Sequence, residues 1–72
     1  MTGNKQLAKL EFVAFCIEQY KKTVNMSGCE VEQMFSYQGV ITFLIDNYEV
    51  LHTQSAQFIQ EEIVEYLNNH QQ

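Results

Sequence analysis

The chain has 72 residues, 46% of them hydrophobic and 12% aromatic, contains no proline, and carries a formal net charge of −5. That is enough apolar material to offset the entropy of folding, but too little chain for a deep cleft between two lobes. Its basic side chains are Lys5, Lys9, Lys21 and Lys22, whereas residues 23–72 hold seven carboxylates and no lysine or arginine, so most of the surface repels phosphate and nucleic acid is excluded as a partner.

Leu7, Leu10, Val13, Ala14, Ile17, Tyr20 and Val24 recur at helical spacing, which predicts a first helix over residues 5–23 with that stripe turned to the core. Lys21 and Lys22 fall in its last turn, where cations suit the negative end of the helix dipole, and Asn25 is a fitting left-handed stop. Phe12, Phe15 and Cys16 project away from the stripe. Phe15 stands among Glu11, Glu18, Gln19 and Lys22 on what should be the wet face, so Phe12 and Phe15 form a candidate interface. The alternative is a central first helix packed on both sides.

Ser27 and Glu30 have the spacing of a capping box and predict a short second helix that buries Val31, Met34 and Phe35 and closes at Gly39. Residues 40–45 are β-branched enough for a strand. Val40, Phe43, Leu44, Tyr48 and Leu51 nevertheless keep helical spacing, and a lone strand would find no partner, so residues 40–51 are predicted as a third helix. Thr53 or Ser55 caps the last helix, with Ala56, Ile59, Ile63, Tyr66 and Leu67 on its apolar face and Gln57, Gln60, Glu61, Glu65 and Asn68 on the other. The expected fold class is all-α, a compact four-helix bundle with two long and two short helices. It forms a single helical domain over residues 5–69, with a radius of gyration of about 11 Å. The ends, residues 1–4 and 68–72, are its only flexible-looking parts.

Cys16, Cys29, His52 and His70 lack the close spacing that brings metal ligands together, and neither cysteine sits in a nucleophile signature. No metal site, cofactor or catalytic thiol is therefore expected. A helix-turn-helix about Gly39 would have no cation to offer DNA. Tyr48, Glu49, Leu51, His52 and Thr53 form a candidate motif, read as a structural junction. Tyr48 and Leu51 extend the third helix's stripe, His52 stands where that helix stops, and Thr53 offers an oxygen to the next helix. Without a leader-like start or a long apolar run, the chain is expected to be soluble and cytoplasmic, away from membranes, with both thiols reduced.

At Leu10-Glu-Phe-Val-Ala-Phe-Cys-Ile-Glu, Ser27-Gly-Cys-Glu-Val, Gly39-Val-Ile and above all Tyr48-Glu-Val-Leu-His-Thr-Gln, the chain resembles a family of short bacterial proteins catalogued as domain of unknown function 3791. The resemblance runs over about residues 10–67 and brings no biochemistry with it. Genes of that family often neighbour an ADP-ribosyltransferase-like gene, which implies a toxin and antitoxin arrangement. The expected function is a non-enzymatic protein-interaction module, antitoxin-like or otherwise a regulatory partner of a toxin, whose acidic face meets a basic protein. The alternatives are a small-molecule sensor or minor enzyme with a pocket around His52, Tyr48 and Glu49, and a structural homodimer.

Overall fold

A computed structural model describes residues 3–70, and the side chains of residues 6–69. Its helices follow in the order α1 (Gly3–Thr23), α2 (Gly28–Gln38), α3 (Val40–Asp46), α4 (Tyr48–Leu51) and α5 (Ala56–His70), with no strand among the described residues. The all-α expectation holds, but the expected four helices are five, because residues 40–51 break at Asn47. Of the ends expected to be flexible, residues 3, 4 and 68–70 are helical, and the others lie outside the described residues.

Each helix boundary has a local cause. Thr23 Oγ1 donates to the Tyr20 carbonyl at 2.8 Å, and Val24 N–H donates to the same carbonyl, which closes α1. Asn25 is not the left-handed stop expected of it, since Gly39 alone among the described residues has positive φ. The capping box forms as its spacing predicts: Glu30 N–H donates to Ser27 Oγ at 3.1 Å, and Ser27 N–H donates to Glu30 Oε1 at 2.9 Å.

Gly39 joins α2 to α3 at φ 82°, its N–H directed at the carbonyls of Phe35 and Ser36, while its own carbonyl accepts from Phe43 N–H and from Tyr66 Oη. The left-handed region costs a side-chain-bearing residue roughly 1–2 kcal/mol. A Cβ here would also stand 3.1 Å from Tyr66 Oη and disturb the bond that ties α5 to this turn. Gly39→Ala is therefore expected to lower stability by about 2 kcal/mol. The effect should appear as an earlier urea midpoint with an unchanged slope.

The run of β-branched residues from Val40 is helix, not strand, because Val40 and Leu44 lie one turn apart and both are fully buried against the other helices. Asn47 ends it: its backbone leaves the helical region at φ −108° and ψ 17°, while its Nδ2 donates to the Phe43 carbonyl at 2.8 Å beside its own N–H, and α4 begins at the next residue. Ser55, not Thr53, caps α5, with Oγ accepting from Phe58 N–H at 3.1 Å.

The core is built from every helix: Phe12, Val13 and Cys16 of α1, Val31 and Phe35 of α2, Val40 and Leu44 of α3, Leu51 of α4, and Ile59, Ile63 and Leu67 of α5. Tyr20 and Phe35 meet with ring centroids 5.2 Å apart, and Phe43 stacks on Tyr66 at 4.5 Å, which adds aromatic contact along the α1–α2 and α3–α5 seams. The radius of gyration is 11.9 Å.

α1 reverses part of its expected orientation. Phe12 and Cys16, which project away from the expected stripe, are buried in the core, whereas Leu7, Leu10 and Ala14 of that stripe face solvent. The physical reason is that α1 is apolar over two arcs, and the helices packed beside it cover only one of them.

Candidate functional site

The string at residues 48–53 forms a layered junction. Phe12 of α1 meets Tyr48 edge to face, with centroids 5.4 Å apart and planes at 78°, and the Tyr48 ring stacks almost parallel with His52 at 4.3 Å. Tyr48 and His52 are four residues apart, the spacing that places side chains on one helical face. His52 Nδ1–H donates to the Tyr48 carbonyl at 2.7 Å, so the imidazole both closes α4 and covers Tyr48. Leu51 is buried, Glu49 is exposed in the first turn of α4, and Thr53 Oγ1 donates to the Val50 carbonyl at 2.9 Å. The hydroxyl expected to open α5 thus closes the turn before it.

Of the two phenylalanines expected at an interface, Phe12 is corrected to a core residue, because α4 lies over it and Tyr48 seals its edge. Phe15 remains 44% exposed. A different part of α1 presents the larger apolar surface. Leu7 and Leu10 are each 56% exposed, Ala14 is exposed and Ile17 half-buried. Steps of three and four residues place them in one stripe.

Leu10, Ala14 and Ile17 line a groove of about 420 Å³ together with the buried Val13 and with Ile41 of α3. Glu18 and Glu32, from α1 and α2, stand at its edges. Glu18 pairs with Lys21 at 3.3 Å, a surface contact with both side chains well exposed. Such a pair contributes little and yields readily to a competing cation. Sequence reasoning placed these apolar residues in the core. Phe12 and Cys16, off that stripe on the same helix, are the residues that take the buried position instead.

A second groove, of about 490 Å³, runs along α5 beside Thr23 and is lined by polar side chains, among them Gln57, Gln60 and Asn68. Gln60 Nε2 donates to the Cys16 carbonyl at 3.5 Å, which ties α5 to α1, while its Oε1 is buried without a hydrogen-bond partner. Neither groove includes His52 or Glu49. Among the described residues no three or more His, Cys, Asp and Glu side chains are placed to hold a metal; the side chain of His70 lies outside them. No helix among the described residues is long and apolar enough to cross a membrane.

The two thiols differ in environment. Burial pushes the Cys16 thiol up from 9.0 to about 12, because the thiolate would lose its hydration, whereas Cys29 is exposed in the first turn of α2. The folded chain is therefore expected to take one alkyl group from iodoacetamide, at Cys29, and a second only after denaturation, as counted by intact mass. The unfolded chain loses the Cys16 proton near pH 9.0 and the folded chain only near pH 12, so stability should fall as pH rises through that window.

A family model described as "Protein of unknown function (DUF3791)" matches residues 11–70, which takes in α2 to α5 and all but the first turns of α1. No curated protein and no solved structure matches the chain.

Proposed function

We propose that this chain, which belongs to the DUF3791 family, works as a non-enzymatic protein-interaction module whose docking face is the outer stripe of α1. The observation that carries this reading is the exposure of Leu7 and Leu10, each 56%, beside Ala14 and the groove that ends at Ile41. Apolar side chains that gather into one exposed stripe gain by being covered, and that gain is the usual driving force of association.

The overall charge of −5 and the two carboxylates that line the groove, Glu18 and Glu32, support a basic protein as partner, although the four lysines all belong to α1. An antitoxin-like or regulatory protein that masks a basic surface is the form of this role that such a charge pattern suits. Two free cysteines fit a reducing, cytoplasmic setting. His52 supports a structural task, because its Nδ1–H is committed to the Tyr48 carbonyl and its ring lies flat on Tyr48.

The test is capture of a partner from the native host by the wild-type chain and by Leu10→Asp. Leu10 is exposed in the free protein, so the variant should keep its circular dichroism and melting temperature while losing the partner. Retention of the same partner by the folded Leu10→Asp chain, or failure of the wild type to retain any protein, overturns the proposal.

A further inference from the structure

We infer that the occupant of the α1 groove is an amphipathic helix from a basic partner, about three turns long, with lysine or arginine flanking its apolar face. The inference rests on the docking role proposed for this face and specifies its ligand. From Leu7 to Ile17 the stripe spans ten residue steps, about 15 Å of helix, which is the length over which a partner helix presents side chains at positions i, i+3, i+7 and i+10.

The borders decide the sign of the partner. Glu11 follows Leu7 by four residues and Glu18 follows Ala14 by four, so a row of carboxylates runs beside the stripe on α1, and Glu32 stands across the groove on α2. Two cations stand near this edge, Lys21, which pairs with Glu18, and Lys22, which follows Glu18 by four residues, but the groove's own lining holds Glu18 and Glu32 and no lysine. A helix with apolar anchors and basic flanks would satisfy the groove and its borders together. A second copy of the chain suits it poorly: a two-fold contact sets each patch against itself, which brings like carboxylates together between two bodies of charge −5. Nucleic acid meets the same repulsion.

The experiment uses a fluorescein-labelled peptide of about 14 residues, roughly 21 Å when helical, with leucines at helical spacing and lysines elsewhere. Its counterpart carries glutamates in place of the lysines. Fluorescence anisotropy is read near physiological salt, and sedimentation reports the oligomeric state. The lysine peptide should bind at least about tenfold more tightly than the glutamate peptide. Glu18→Lys with Glu32→Lys should weaken it by at least about tenfold. Glu61→Lys with Glu65→Lys makes the same change in net charge at the other groove and should weaken it by no more than about twofold, since exposed charges beyond a Debye length are screened.

Equal losses from the two pairs, equal binding of both peptides, or no binding of the lysine peptide overturns the inference. If Leu10→Asp still removes peptide binding in the first two of these cases, the docking face stands and only its basic ligand falls. If Leu10→Asp changes nothing, the face itself falls. A dimer in sedimentation that Leu10→Asp splits makes the occupant a second copy and overturns the basic helix as well.

Discussion

Replacing Phe35 by alanine is expected to lower the unfolding free energy by about 3–5 kcal/mol, the usual cost of emptying an aromatic site in a core. Phe35 is fully buried and is the largest side chain so enclosed. Its ring meets Tyr20 of α1, and its carbonyl accepts from the N–H of Gly39, so it joins the α1–α2 seam to the turn that launches α3. It belongs to a core cluster to which all five helices contribute, so a void there opens at the centre of the packing. For 72 residues the total stability is roughly 4–11 kcal/mol, so this loss is a large share of it. Urea unfolding followed by circular dichroism should show a midpoint near or below the start of the wild-type transition. A loss below about 1 kcal/mol would mean that the α2 packing described above is wrong.

Leu51→Ala is the second large effect, at about 2–5 kcal/mol, because this is the buried side chain of α4, a helix of four residues. Its neighbours should grade below it in an order set by their bonds. Ser55→Ala removes the oxygen that caps α5 and should cost about 1 kcal/mol. Thr53→Ala loses only an exposed bond to Val50 and should cost about 0.5 kcal/mol. His52→Ala removes both the stacking on Tyr48 and the bond to its carbonyl, and should cost about 1 kcal/mol while leaving partner binding by the folded protein intact. Measuring stability and binding on the same variants separates junction from site. A His52→Ala chain of unchanged stability that has lost its binding or a catalytic activity would make this string a functional centre.

The charge balance, the helical class and several boundaries are determined by neighbouring residues and so belong to the sequence itself. The Ser27–Glu30 box closes through bonds across three residues, Gly39 takes the one positive φ among the described residues because it lacks a Cβ, and Ile59, Ile63 and Leu67 recur at a four-residue spacing that sets them on one face of α5. Where local options are nearly equal, single side-chain bonds to nearby backbone mark which was taken. Residues 40–51 could propagate as one helix until the Asn47 side chain took the Phe43 carbonyl, and Thr53 and Ser55 were equivalent as caps until the turn after Leu51 placed one hydroxyl toward Val50 and the other toward Phe58.

α1 is the clearest case. Its apolar residues fall on two arcs, and periodicity favours the line through Leu7, Leu10 and Ala14. The line through Phe12 and Cys16 is buried because α4 brings Tyr48 against Phe12 and α5 brings Gln60 to the Cys16 carbonyl. Burial of a helix face is a property of what packs on it, and those contacts link residues more than thirty positions apart, beyond the reach of any local pattern. The candidate docking face was therefore visible in the sequence only as a stripe of apolar side chains, and the tertiary structure alone left it uncovered.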